Sequence, residues 1–148
     1  MPSSTAGYSG TPLARKLGIV EGSSLHARNP PRDYRKWLAP LPSNVRFESQ
    51  VSETTDIVHI FSDRRAALEG ELVRMRAAIR ETATIWVSWP KRTSKVPTDI
   101  TEDTVRALAL PIGLVDVKVC AISEVWSGLK LVIRKELRPS STATQRRR

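Results

Sequence analysis

The residues best suited to bind a ligand lie in one short stretch, 89–99. Its candidate ligand-binding side chains are Trp89, Lys91, Arg92, Ser94, Lys95, Thr98 and Asp99. The cations attract phosphate or carboxylate, the indole offers a flat stacking face, and the helix expected to begin near Thr101 adds the positive end of its dipole. The stretch therefore predicts a surface for an anionic small molecule. Two observations favour plain solvated surface instead: Glu102 and Asp103 already occupy that dipole end, and most Lys/Arg-rich loops bind nothing.

A second candidate is Trp126, which stands with Ser127 and Gly128 in a predicted turn between two strands. A large aromatic side chain at a turn can anchor a protein partner, because the core of its own chain covers it poorly. The alternative is that Trp126 folds back on the sheet edge beside Val125. The sequence leaves both interpretations open.

The other reactive side chains do not form a catalytic set. His59 could act as a general base, but a hydrogen-bonded core histidine is the commoner outcome, and His26 is similar. Cys120 lies inside an apolar stretch and is expected to be a small buried residue rather than a nucleophile. We therefore expect no catalytic residue, no metal site and no cofactor. Whether the protein is an enzyme stays open, with a non-enzyme favoured.

Length and composition limit the classes of protein to which the chain can belong. The chain has 148 residues with one cysteine, so we expect one α/β domain at 11–138 that folds without disulfides, between flexible tails at 1–10 and 139–148. No apolar run is long enough to span a membrane, and the first ten residues have no basic and apolar leader pattern. The expected location is the cytoplasm.

The positive net charge suggests an alternative function, the binding of nucleic acid. Lys and Arg number 24 against 15 Asp and Glu, which gives a net charge of +9. The arginines at 146–148 and those at 28, 32, 35 and 46 could neutralise phosphates of nucleic acid without reading its bases. No nucleic-acid-binding motif is evident, however, and the charge is spread along the chain.

Hydrophobic periodicity predicts the elements that must position these residues. Expected strands are 25–28, 45–50, 57–61, 84–89, 115–122 and 129–135; expected helices are 11–19, 32–38, 64–81 and 101–112. Thr11 should cap the first helix with Pro12 at its first position, and Asp63 should cap the third.

The order of these elements predicts the fold class. Two helices lie between three successive strands from residue 57 onward, so those strands should run parallel, whereas about six residues join the last two strands as an antiparallel hairpin. The prediction is an α/β three-layer Rossmann-like sandwich, with a mostly parallel sheet and a C-terminal antiparallel β-hairpin at one edge.

Three segments carry a family resemblance: AGYSGTPLARKLGI from Ala6, WVSWPKRTSKVPTDITEDTVR from Trp86 and DVKVCAISEVWSGLKLVIRKE from Asp116. With them the chain resembles, from about Ala6 to Glu136, the small bacterial proteins of the domain of unknown function 3052 family. The resemblance implies a compact bacterial cytoplasmic protein and supplies no catalytic residue. Members of that family look Gly-rich where this chain has Lys95, which implies a stiffer and more basic loop.

The element order is also similar to the carboxyl-terminal part of class I methyltransferases, but their usual cofactor site lacks support in these residues. Adenosylmethionine and dinucleotide sites in such folds use glycines after the first strand, where this chain has Asn29-Pro30-Pro31. Glu48 could mimic the ribose-binding acid, although a solvated edge residue is the expected role. No phosphate-binding Gly-Lys-Ser/Thr sequence occurs.

Three functional hypotheses follow in order of preference. The first is a non-catalytic binding or interaction module with a basic, Trp-containing loop for an anionic ligand or a protein partner. The second is non-specific nucleic-acid binding, and the third is a degenerate methyltransferase-like enzyme.

Overall fold

The computed structural model describes residues 11–138. The predicted tails at 1–10 and 139–148 lie outside the described residues. Within 11–138, no helix is both long and apolar enough to cross a membrane.

Each predicted element except one has a counterpart of similar extent. The strands are β1 (Ser24–Arg28), β2 (Arg46–Phe47), β3 (Ile57–Phe61), β4 (Thr84–Pro90), β5 (Leu114–Ala121) and β6 (Trp126–Ile133), and the helices are α1 (Leu13–Leu17), α2 (Tyr34–Leu38), α3 (Arg65–Ala78) and α4 (Glu102–Ala109). The exception is β2, which was expected at 45–50. Only two of its residues pair with β1, because the chain turns away from the sheet after Glu48.

The six strands form one sheet in the order β2-β1-β3-β4-β6-β5. The first four strands are parallel, and β6 pairs antiparallel with both β4 and β5. The β5–β6 hairpin therefore lies at one edge as predicted, but its second strand enters the sheet between β4 and β5. This insertion leaves β5 as the edge strand.

Helices cover both faces of the sheet and define two cores. One core joins α3 and α4 to the side chains of Val58, Ile85 and Val87, and the other joins α1 and α2 to those of Phe61 and Trp86. The alternation along β4 explains the division, since neighbouring side chains of a strand point to opposite faces. The three-layer Rossmann-like sandwich predicted from the sequence is confirmed.

The helix starts differ from the predictions at two places. Pro12, not Thr11, occupies the N-cap position of α1. Arg64, not Asp63, occupies that of α3, and its side chain caps nothing. A carboxylate from a distant loop supplies the missing acceptor: Asp99 Oδ1 accepts a hydrogen bond of 2.6 Å from the Arg65 backbone N–H. Capping rules consider only residues next to the helix start, so they cannot predict a cap from a residue that is 34 positions away.

A glycine ends α1. Gly18 follows the helix with φ of 86°, a left-handed conformation that glycine adopts without steric cost. The indole N–H of Trp86 donates a hydrogen bond of 3.1 Å to the carbonyl of Leu17. This bond fastens the helix onto the core below it.

Candidate functional site

The carboxyl end of β4 opens into a cavity of about 530 Å³. We call it the basic cavity; it is lined by Trp89, Pro90, Lys91, Arg92, Thr93, Lys95, Val96, Pro97, Thr98, Ile100, Thr101, Glu102 and Ser127. Five of the seven predicted ligand-binding residues are among them. A volume of this size suits a small organic ligand.

Three cations surround the mouth of the basic cavity. Arg92 and Lys95 are exposed and Lys91 is half-buried. Within residues 11–138 none of the three forms an ion pair with a carboxylate, whereas Arg28, Arg80 and Arg106 all do. The cavity therefore has positive charge that no carboxylate between residues 11 and 138 neutralises.

The two predicted residues outside this lining, Ser94 and Asp99, hold the loop in place. The Ser94 hydroxyl donates to the carbonyl of Lys91 at 2.6 Å and accepts from the Val96 N–H at 3.2 Å. Asp99 is committed to the N-terminus of α3, as described above. Thr98 has both roles, since it lines the cavity and also donates a hydrogen bond of 2.8 Å to the carbonyl of Asp63.

Helix α4 begins at the floor of the basic cavity. Thr101 is its N-cap and forms a reciprocal pair with Thr104, in which the Thr104 N–H donates to Thr101 Oγ1 at 3.2 Å. Glu102 lines the cavity, but its carboxylate accepts a hydrogen bond from Arg106. The acid that the sequence counted against anion binding is thus paired with a cation of its own helix.

Trp126 lies on the other face of the sheet. It begins β6 opposite Pro90, so it is not in the turn itself, and its ring packs edge-to-face on Phe61 with centroids 5.1 Å apart. Its neighbour Ser127, opposite Trp89, is the residue that faces the basic cavity. Trp126 is half-buried, and a role for it in binding a partner stays a prediction.

A buried polar chain lies on the face of the sheet that α1 and α2 cover. His59 on β3 lies between two hydroxyls: its Nδ1 is 2.7 Å from Tyr34 Oη, and its Nε2 is 2.7 Å from Ser88 Oγ. Burial lowers the pKa of His59 to about 3 and raises that of Tyr34, so both groups are neutral at pH 7. The core histidine expected from the sequence is confirmed, together with two partners that the sequence did not indicate.

The chain offers little other chemistry. Cys120 on β5 is half-buried, and burial raises the pKa of its thiol, which opposes a role as nucleophile. Over residues 11–138, no group of three or more His, Cys, Asp or Glu side chains is arranged to hold a metal ion.

The strand order reverses direction between β1 and β3, and in open α/β sheets ligands commonly bind at such a point. Here β1 is followed by Asn29 in a left-handed conformation, with φ of 58°. Pro30 and Pro31 come next and have no backbone N–H to offer a ligand. The turn therefore presents few donors at the place where such folds usually bind an anionic cofactor.

Glu48 is also occupied elsewhere. Its carboxylate accepts hydrogen bonds from the hydroxyls of Thr55 at 2.6 Å and Thr54 at 3.1 Å, and the Thr55 bond is the main cause of its lowered pKa. Both threonines precede β3, toward the amino end of the sheet. Glu48 thus orders the turn before β3. The sequence predicted a solvated edge residue without this role.

Solved structures show which class of protein shares this fold. A SAM-dependent methyltransferase from Aquifex aeolicus aligns with a TM-score of 0.52 at 13% identity, over 82% of this chain and 87% of that one. Magnesium protoporphyrin IX methyltransferase from Synechocystis PCC 6803, solved with bound SAH, aligns with a TM-score of 0.52 at 9% identity, over 82% and 78%. The chain thus has a methyltransferase-like fold, as its element order indicated.

A third similar structure is described differently. It is a possible exported protein from Bordetella parapertussis, with a TM-score of 0.57, 10% identity and coverage of 82% of this chain and 66% of that one. No protein-family model and no curated protein sequence matches the chain. The resemblance to the domain of unknown function 3052 family therefore gains no support, and the cytoplasmic location stays a prediction.

The fold raises the question of whether this chain could hold S-adenosylmethionine at the end of β1. The residues there do not fit that cofactor. Two consecutive prolines stand where a glycine turn would let backbone amides approach it, and the acid after β2 is bound by two threonines. The open volume, and the cations that have no carboxylate partner among the described residues, lie instead beyond β4.

Proposed function

We propose that this protein is a methyltransferase-like protein that binds a small anionic ligand in the basic cavity. The observation that supports this most strongly is the set of three cations, Lys91, Arg92 and Lys95, around one cavity with no acidic partner in the described part of the chain. An anion placed there would gain charge-assisted hydrogen bonds without displacing an existing ion pair.

The loop that forms the cavity is held in shape before any ligand arrives. Hydrogen bonds from Ser94 and Thr98 fix its two halves, and the Lys91 N–H donates to the carbonyl of Val125 at 2.7 Å. A preformed loop loses less conformational entropy on binding than a mobile one. This favours a binding role for the loop over an accidental cluster of solvated charges.

The second candidate is methyl transfer with S-adenosylmethionine. The similar structures from Aquifex aeolicus and Synechocystis support a methyltransferase-like protein better than a binding module of unrelated ancestry. The Asn29-Pro30-Pro31 turn opposes this candidate, because it lacks the backbone donors of a cofactor loop. A methyltransferase-like protein that does not bind S-adenosylmethionine agrees with both the similar structures and the sequence of this turn.

The test is binding of inorganic phosphate by calorimetry, to the wild type and to the double variant Lys91→Ala with Arg92→Ala. Each exposed charge contact contributes about 0.5–1 kcal/mol, so the double variant should bind phosphate about tenfold more weakly. The matched control is Arg134→Ala with Lys135→Ala. It removes the same two charge types from exposed neighbours just after the end of β6, which lies at the opposite end of β4 from the basic cavity.

Three results would change the conclusion. Equal weakening in both double variants would mean that only net charge matters. Binding of a short DNA duplex that falls steeply with salt and exceeds the binding of phosphate would favour the nucleic-acid alternative. Saturable binding of S-adenosylmethionine that is unaffected by Lys91→Ala with Arg92→Ala would favour the second candidate.

A further inference from the structure

The loop over the basic cavity changes character halfway along its length. From Lys91 to Lys95 it is cationic and polar, and from Val96 to Ile100 most of the side chains that line the cavity are apolar. The change coincides with a change of backbone direction, since Lys95 adopts a left-handed conformation with φ of 64°. The loop therefore has a cationic half and a mainly apolar half, which we call its charged end and its apolar end.

The apolar end has exposed surface that the protein's own core does not use. Val96 is 39% exposed, and Pro97 beside it is exposed as well. The same cavity is also lined by Ile100, Pro90 and the buried Trp89. An inorganic anion alone would leave all of this surface in contact with water.

The apolar end is also held in a fixed geometry. The Val96 N–H donates to Ser94 Oγ, the Ile100 N–H donates to Thr98 Oγ1 at 3.1 Å, and Thr98 Oγ1 donates to the carbonyl of Asp63. These bonds restrain the backbone on both sides of Val96 and Pro97. The exposed apolar surface is thus a property of the loop's architecture.

From these observations we infer that the ligand of the basic cavity is a phosphate monoester with an aromatic ring, whose phosphate lies by Lys91 and Arg92 and whose ring lies against Val96 and Pro97. This inference rests on the proposed anion binding and names its ligand class. An aromatic ring suits this end because Val96, Pro97 and Trp89, which line the cavity, offer apolar surface to it. The volume of about 530 Å³ has room for a phosphate and a ring together.

The test compares two probes, phenyl phosphate and inorganic phosphate, by calorimetry at pH 8, where both are mainly dianions. Removing about 60 Å² of ring surface from water at about 25 cal/mol per Å² corresponds to about tenfold in affinity. We expect phenyl phosphate to bind about tenfold more tightly than inorganic phosphate.

A substitution tests whether the loop provides this gain in affinity for phenyl phosphate. Val96→Ser should remove about threefold or more of the affinity for phenyl phosphate and leave that for inorganic phosphate within about twofold, because it changes only apolar contact. The control is Val117→Ser on β5, a valine that is 53% exposed and outside the lining of the basic cavity. It should alter neither affinity.

The outcomes distinguish failure of this inference from failure of the proposed anion binding on which it rests. If the two probes bind equally and both weaken in Lys91→Ala with Arg92→Ala, anion binding stands and the aromatic ligand class is refuted. If phenyl phosphate binds more tightly but Val96→Ser has no effect on it, the ring lies elsewhere and the inference fails. If neither probe responds to loss of the two cations, the proposed function itself fails.

Discussion

The buried histidine of the Tyr34–His59–Ser88 chain predicts a specific dependence of stability on pH. Folding lowers the pKa of His59 from about 6.5 to about 3, chiefly through burial. The unfolded state therefore binds more protons than the folded state between these values, so the free energy of unfolding falls as pH falls below about 6.5. From pH 7 to pH 5 the loss from this one group is about 2 kcal/mol.

The carboxylates contribute below that window. Glu48, Asp56 and Asp116 all have lowered pKa values, so the stability that they contribute is present above about pH 4.5 and is lost on further acidification. The interval from pH 7 to pH 5 thus separates the contribution of His59 from those of these three carboxylates. Protonated His59 would be a buried charge, since both of its neighbours are neutral hydroxyls.

The assay is urea unfolding followed by tryptophan fluorescence at pH 7, 6 and 5. The variant His59→Gln removes the titrating group and keeps an amide that can pair with both hydroxyls. We expect it to lose about 1–3 kcal/mol at pH 7 and to show almost no further loss down to pH 5. A slope as steep in His59→Gln as in the wild type would refute this reasoning.

Two further predictions concern packing and capping. A Cβ added at Gly128 would lie 2.7 Å from Ile122 Cδ1, whereas one added at Gly70 in α3 meets nothing within 4 Å. Gly128→Ala should therefore destabilise by about 1–3 kcal/mol and Gly70→Ala should stabilise by about 0.5–1 kcal/mol in chemical unfolding, and an equal effect of both would contradict the packing described here. Asp99→Ala should cost about 1 kcal/mol and lower the melting temperature by about 4 °C, because the Arg65 N–H loses its acceptor; an unchanged melting temperature would exclude Asp99 as the cap of α3.

Much of the fold could be predicted from local patterns. Alternation along β4 puts Trp86 on one face of the sheet and Val87 and Trp89 on the other, and these residues do lie in different cores. The hydrophobic pair Ile100 and Val105 marked the start of α4, and both residues are buried in one core. These signals can be read from the sequence because each depends only on residues that are close together along the chain.

The parts that could not be predicted depend on long-range pairing. Nothing local indicates that β6 enters between β4 and β5, because a hairpin can join a sheet by either of its strands. The same limit applies to Asp99 capping α3 and to the two partners of His59, which are 25 and 29 residues away. Within the candidate site, composition identified the cations, but only the fold separates the cavity-lining Thr98 from the supporting Ser94.

The central claim is that the ligand site lies beyond β4 and not at the end of β1. The most direct test is to follow backbone amide chemical shifts while inorganic phosphate and S-adenosylmethionine are added in separate titrations. Our account predicts saturable shifts with phosphate at the amides from Lys91 to Lys95 and at Thr101, and none at Asn29. Saturable shifts with S-adenosylmethionine centred on Asn29, and none beyond β4 with phosphate, would contradict it.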